Sequence, residues 1–268
     1  MLTVVTSGKS APGATTATWA LALAWPRPVL AVDADPAGGD MTAGFLPGRV
    51  SVDRGLLSWS AAARRGTPAM TAATLLATHA TTLADWPRVW LLPGFTAATQ
   101  AHSLTGELWE RLSLALARCA PAIGRDAVVD AGRLVDDGVM LPILRAADRV
   151  LVAVRPSVRS VHSAQQATAR IAAAVGDLQS VQALVVGRGP YGEREVAAAV
   201  GLPLAGTLPD DRASAEVLTD GAAATVRGLS RSPLLRSAAA LARRLSVMDR
   251  PDRLVADQRP SAAVPGRS

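Results

Sequence analysis

The sequence predicts an α/β chain built as three layers, a doubly wound, mostly parallel β-sheet flanked by helices. Three observations carry that prediction. Residues 29–33 form a short, unbroken apolar run, as expected of a strand buried on both faces of a parallel sheet. Further apolar runs, at residues 126–132 and 149–154, follow in an order that alternates with helical stretches rich in Ala and Leu, the alternation that builds parallel crossover units. The chain also opens with a strand, a glycine-bearing loop and a helix, an arrangement that places a ligand at strand carboxyl ends.

In chain order, a strand at residues 2–6 leads into the loop Ser7-Gly8-Lys9-Ser10-Ala11-Pro12-Gly13-Ala14-Thr15-Thr16. An Ala-rich helix then runs from Thr15 to about Trp25 and stops at Pro26, whose ring and missing N–H end it. This is the context of a phosphate cradle, in which backbone N–H groups and a helix N-terminus face an anion. A standard phosphate loop places a lysine just before its Ser/Thr. Here Ala14 stands at that position, and a lysine comes early, at Lys9. Lys9 is the only lysine of the chain, every other basic residue being arginine. That bias points to a compact ammonium placed for point contact with phosphate.

The strand at residues 29–33 delivers Asp33-Ala34-Asp35-Pro36 at its carboxyl end. Two carboxylates there, beside the phosphate loop, have the chemistry to hold a magnesium shell and position a water. Residues 41–84 contain helix candidates at 56–65 and 69–83 and read as a plain connection. Val89-Trp90-Leu91-Leu92-Pro93-Gly94 reads as a buried strand ending in a turn, with Trp86 and Trp90 in core or sheet-edge packing. A helix at residues 102–120 carries Leu104, Leu108, Leu112 and Leu116 as a core-facing stripe. Next, an apolar strand over residues 126–132 ends in Asp130, and Gly132 allows close backbone approach there.

After a helix near 139–147, a strand at 149–154 precedes a helix at 158–175. The strand at 181–186 then leads into Gly187-Arg188-Gly189, and residues 203–209 form the last strand. A closing helix over 233–248 puts Leu234, Ala238, Leu241, Leu245 and Met248 on one face and Arg236, Arg243 and Arg244 elsewhere. Docking on the core is favoured over a partner- or DNA-facing arginine surface, and membrane docking ranks last. Residues 1–248 read as one nucleotide-binding domain. Residues 249–268, rich in Pro, Arg and Ser, read as a disordered tail.

Bulk properties narrow the class. Cys119 is the sole cysteine, which excludes an intramolecular disulfide and suits a reducing cytoplasm. No leader pattern and no apolar run long enough for a bilayer is present, so a soluble, cytoplasmic protein is expected. A net charge of +6 permits an acidic partner such as nucleic acid, but the arginines are spread along the chain, as on a solvated exterior.

Lys9 to Thr16 resembles the deviant Walker A motif of the ParA/MinD family, K-G-G-x-G-K-T-T, without a gap. Lys9 falls on the signature lysine, Gly13 on the third glycine, Thr15 on the magnesium-binding hydroxyl and Thr16 on the next threonine. Ser10 and Ala11 replace two glycines, and Ala14 replaces the second lysine. Residues 33–36 resemble the family's D-x-D-P segment, and residues 126–132 its Walker B strand. The resemblance implies a P-loop NTPase fold that binds ATP or ADP with Mg2+. It implies that Gly8, Lys9, Ser10, Ala11, Pro12, Gly13, Ala14, Thr15 and Thr16 surround the phosphates, with Arg188 and Pro209 near the base. By the same resemblance Thr15, Asp33 and Asp130 hold the metal, Asp35 orients the attacking water, and Lys9 acts across a homodimer on the partner's nucleotide. The function implied is a switch that positions DNA, a septum component or a secretion or pilus machine, with hydrolysis weakened or lost through Ala14. Two alternatives stand beside it: a non-catalytic adaptor that keeps the fold as an interaction platform for another protein, and a nonspecific DNA-binding protein that uses the arginines.

Overall fold

The computed structural model describes residues 1–9, 13–46, 50–51, 53–65, 72–101, 104–134 and 139–247. Ser10, Ala11 and Pro12 of the loop, Met248 and the expected tail at 249–268 lie outside the described residues. Eight strands, β1 (Leu2–Ser7), β2 (Val29–Asp33), β3 (Thr81–Leu83), β4 (Trp86–Leu92), β5 (Asp126–Arg133), β6 (Arg149–Val154), β7 (Val181–Val186) and β8 (Leu204–Leu208), form one sheet in the order β3-β4-β2-β5-β1-β6-β7-β8. Every pairing is parallel except that of β3 with β4. The sheet is therefore doubly wound about β1: the chain leaves β1 for β2 on one side and, after returning through β5, crosses to β6 on the other. That switch point is where open α/β sheets bind ligands.

Strand residues alternate between two apolar cores, one on each face, because successive side chains point to opposite sides. Leu2, Val4, Leu30, Val32, Val150 and Val152 pack on one face. It is covered by α3 (Leu56–Arg65), α4 (Ala72–His79), α6 (Gly106–Leu114), α8 (Leu141–Ala146), α9 (Val158–Val175) and α10 (Glu193–Val200). Val5, Val29, Ala31, Leu151 and Ala153 pack on the other. That side is covered by α1 (Ala14–Leu23), α2 (Met41–Phe45), α11 (Arg212–Thr219), α12 (Val226–Ser230) and α13 (Pro233–Val247). The closing helix α13 docks as a core helix: Leu234, Ala238, Leu241 and Leu245 are buried, Arg236, Arg243 and Arg244 are exposed, and Arg244 Nη2 donates to the Ala205 carbonyl at 2.8 Å. Among the described residues no helix is long and apolar enough to cross a membrane.

Two expected helices are corrected. The stretch expected as one helix at 69–83 is α4 followed by β3, since residues 81–83 pair antiparallel with β4 at the sheet edge. The helix expected at 102–120 begins only at Gly106, after Thr105. A short α5 (Ala98–Ala101) precedes it, and it continues through a π-turn at Ala115–Cys119 into α7 (Ala120–Ala122). Pro121 has no N–H to give the carbonyl four residues back, and a one-residue widening removes the clash of its ring there. The stripe survives this change, with Leu104, Leu108, Leu112 and Leu116 all buried.

At the amino end of the sheet, Asp126 ties β5 to the turn before β2. Its carboxylate accepts from the Met1 ammonium, the Trp25 indole N–H (2.8 Å) and the Arg27 guanidinium (2.7 Å). Burial alone would raise this carboxyl, but those donors hold it below its ordinary value of 3.8. A depressed folded value means that the stability it contributes is present above the unfolded value and is lost as pH falls through the folded one. Trp25→Phe keeps the packing and removes one buried donor, so a loss of about 1 kcal/mol is expected in urea denaturation at pH 7. The difference should narrow on acidification below pH 3.8.

Candidate functional site

Parallel strands end at one edge, and that edge gathers the residues singled out in the sequence. β1 ends at Ser7, and its continuation Gly8 is buried so tightly against α9 that a Cβ would strike the Ser163 carbonyl. Lys9 is exposed. Gly13 takes φ +96° at the mouth of α1, a left-handed conformation suited to glycine. Its carbonyl accepts the Ala17 N–H at 2.9 Å, starting the helix. Ala14 is buried in the core beneath α1, while Thr15 and Thr16 are half-buried.

β2 and β5 run side by side with Asp33 opposite Asp130. Both carboxylates are buried, at 0% and 1% exposure. Met41 N–H donates to Asp33 Oδ2 at 3.1 Å and Gly132 N–H to Asp130 Oδ1 at 2.9 Å. Asp33 Oδ1 and Asp130 Oδ2 have no hydrogen-bond partner among the described residues. Burial and the Asp130 charge push the Asp33 carboxyl well above its ordinary value. Burial likewise raises Asp130, to about 6, against the Gly132 N–H and the Thr15 hydroxyl, which faces the carboxylate without a well-aligned bond to Oδ2.

The pair is closely walled. A Cβ on Gly94 would lie 2.7 Å from Asp33 Cγ, and one on Gly39 would strike the same carboxylate. Among the described residues no cluster of three His, Cys, Asp or Glu is present. Two carboxylates and a hydroxyl are instead the kind of sparse, all-oxygen donor set that would suit a magnesium ion taking its remaining ligands from water and phosphate. Two buried acceptors without donors fit such an ion.

Asp35 sits above this pair. Its Oδ1 accepts the Ala37 N–H at 2.8 Å, and the carboxylate rests on Gly132, which has φ +60° and on which a Cβ would strike that carboxylate. Burial raises the Asp35 carboxyl, opposed by the Ala37 N–H and the Arg133 guanidinium.

Arg188 and Pro209 lie on the far side of β1, just past β7 and β8. Arg188 is exposed and Pro209 half-buried. The Gly187 N–H donates to Leu208 at 2.8 Å, joining the two strand ends. Arg155 reaches across this end to Asp210 at 3.9 Å, a contact the sequence reading did not include. That reading also missed Arg133 and the glycines around Asp33. Gly94 was visible only as a turn residue, because its contact with Asp33 is made across the fold.

No protein-family model and no curated protein matches the chain. Solved structures do. A ParA family ATPase from Chlorobium tepidum is 22% identical with a TM-score of 0.70, covering 90% of this chain and 98% of its own. MinD in the MinC:MinD cell division complex of Aquifex aeolicus is 18% identical with a TM-score of 0.71, at 93% and 97% coverage. The septum site-determining protein MinD with Mg-ADP from Pyrococcus horikoshii is 16% identical with a TM-score of 0.67, at 92% and 97%. The fold is thus that of the ParA/MinD-like P-loop ATPases over nearly the whole length of those chains.

Proposed function

We propose that this chain is a ParA/MinD-like nucleotide switch that binds ATP or ADP with magnesium, dimerises, and positions an intracellular cargo. The observation that carries the reading is the pair of buried, underbonded carboxylates of Asp33 and Asp130, with Thr15 facing Asp130, at the end of a strand-loop-helix phosphate cradle. Thr15, Asp33 and Asp130 would hold magnesium, and Gly8, Gly13, Ala14 and Thr16 would face the phosphates. Bound magnesium offsets phosphate charge. Asp35, half-buried on Gly132 with its carboxyl raised, is suited to orient a water and accept its proton. Arg188 and Pro209 border the base. Lys9 is exposed and can extend beyond its own protomer, which supports a homodimer. The MinC:MinD complex supports a protein partner, and the absence of a second loop lysine supports slow or absent hydrolysis.

A non-catalytic adaptor is the second reading, favoured by Ala14. Its side chain is packed in the core where the resemblance puts a lysine. Calorimetric titration with Mg-ATP and Mg-ADP, followed by light scattering, separates the two readings. Native protein is expected to bind, and Lys9→Ala to lose nucleotide-driven dimerisation. Ala14→Lys, whose side chain must leave the core packing of residue 14 to reach phosphate, is expected to tighten binding by at most roughly ten- to a hundredfold, the worth of a charge-assisted phosphate contact. No binding by the native chain at millimolar nucleotide would overturn the switch and leave the adaptor.

A further inference from the structure

We propose that Arg133 supplies, from the end of β5, the phosphate-facing positive charge that Ala14 does not. The inference rests on the nucleotide-binding reading above. Arg133 pairs with Ser7, the residue from which the phosphate loop departs, after a register shift between Val5 and Ser7. Such a shift re-aims the side chains beyond it. The placement is pinned on both sides: Thr6 Oγ1 donates to the Gly132 carbonyl at 3.1 Å, and the Leu134 N–H donates to the Ser7 carbonyl at 2.8 Å. Arg133 is exposed at the strand carboxyl edge. Its charge favours the ionised Asp35 carboxylate, which stands over the Asp33–Asp130 pair.

Charge balance favours such a residue even with magnesium bound, because Lys9 is assigned above to the partner's nucleotide. A nucleoside di- or triphosphate would approach three aspartates, while the N-terminus of α1 contributes only about half a positive charge. Among the described residues, the other arginines near this edge serve other contacts or lie farther off. Arg155 faces Asp210, and Arg188 lies past β7 at the opposite end of the cleft. A guanidinium reaching in from the neighbouring strand end presents a planar fork that engages two phosphate oxygens together.

Binding of Mg-ADP and of a non-hydrolysable ATP analogue is measured by calorimetry for native protein, Arg133→Ala, Arg133→Lys and, as a control for charge loss alone, Arg243→Ala on the exposed face of α13. Arg133→Ala is expected to weaken both ligands roughly ten- to a hundredfold. Arg133→Lys should keep part of the affinity, and Arg243→Ala all of it. The native affinity should also fall more steeply with added NaCl than that of Arg133→Ala, because one fewer screened contact remains in the variant. Unliganded melting temperatures of all four proteins serve as the check on folding. Native-like affinity in Arg133→Ala, or equal losses in the lysine and alanine variants, would overturn the assignment while leaving the switch intact. Failure of the native protein to bind would instead overturn the switch reading itself.

Discussion

Asp130→Asn is expected to stabilise the ligand-free protein and at the same time to remove its response to magnesium nucleotide. Two carboxylates face each other from β2 and β5 with one oxygen of each unpartnered. Without a cation, burial disfavours the ionised form of both, and the Asp130 charge adds to the burial of Asp33 while the Asp35 and Asp40 charges add to that of Asp130. Asp130 has its folded pKa raised from 3.8 to about 6. A raised folded value means that the folded state holds the proton more tightly. Stability is then fully present below pH 3.8 and is lost as pH rises through about 6. That shift corresponds to a loss on the order of 3 kcal/mol at neutral pH. An amide carries no charge, still accepts from the Gly132 N–H, and offers a donor toward Asp33. Melting at pH 8 should therefore rise by roughly 5–10 °C, with the difference shrinking toward pH 4. The gain in melting temperature that Mg-ADP gives the native protein should be absent from the variant. An unchanged or lower melting temperature at pH 8 would mean that the buried Asp130 charge does not destabilise the ligand-free protein. A retained magnesium response would remove Asp130 from the metal site.

The strand ends were legible because their chemistry is local. An apolar run closed by aspartate marks both β2 and β5, and parallel pairing then brings Asp33 opposite Asp130 without further information. The loop context of Gly13 and Thr15 is equally local. β3 was not legible. Its three residues are too few to show a period of two, and Leu83 continues the apolar spacing of α4, so only pairing with β4 makes it a strand. The start of α6 was misplaced for a related reason. Leu104 belongs to the buried stripe although it precedes the helix, and burial alone does not show where the backbone turns helical. Arg133 was hidden for a third reason: its role depends on a bulge in the ladder with β1 and on the left-handed turn at Gly132, both products of contacts about 100 residues apart in the chain.

Gly132→Ala tests how tightly that turn holds the site together. The added methyl meets two separate obstacles. A φ of +60° costs an L-residue about 1–2 kcal/mol. The Cβ also collides with the Asp35 carboxylate, and overpacking of this kind costs about 1–3 kcal/mol. A destabilisation of about 2–5 kcal/mol is therefore expected in urea denaturation, together with loss of whatever Asp35 does for bound nucleotide. The two contributions separate in a double-mutant cycle with Asp35→Ala. Removing the carboxylate should recover the collision part and leave the backbone part, so the double variant should sit about 1–2 kcal/mol below Asp35→Ala alone. If Gly132→Ala matches the native stability, the left-handed turn is not required. If Asp35→Ala recovers nothing, the contact between Asp35 and Gly132 is not what sets the position of that carboxylate over the Asp33–Asp130 pair.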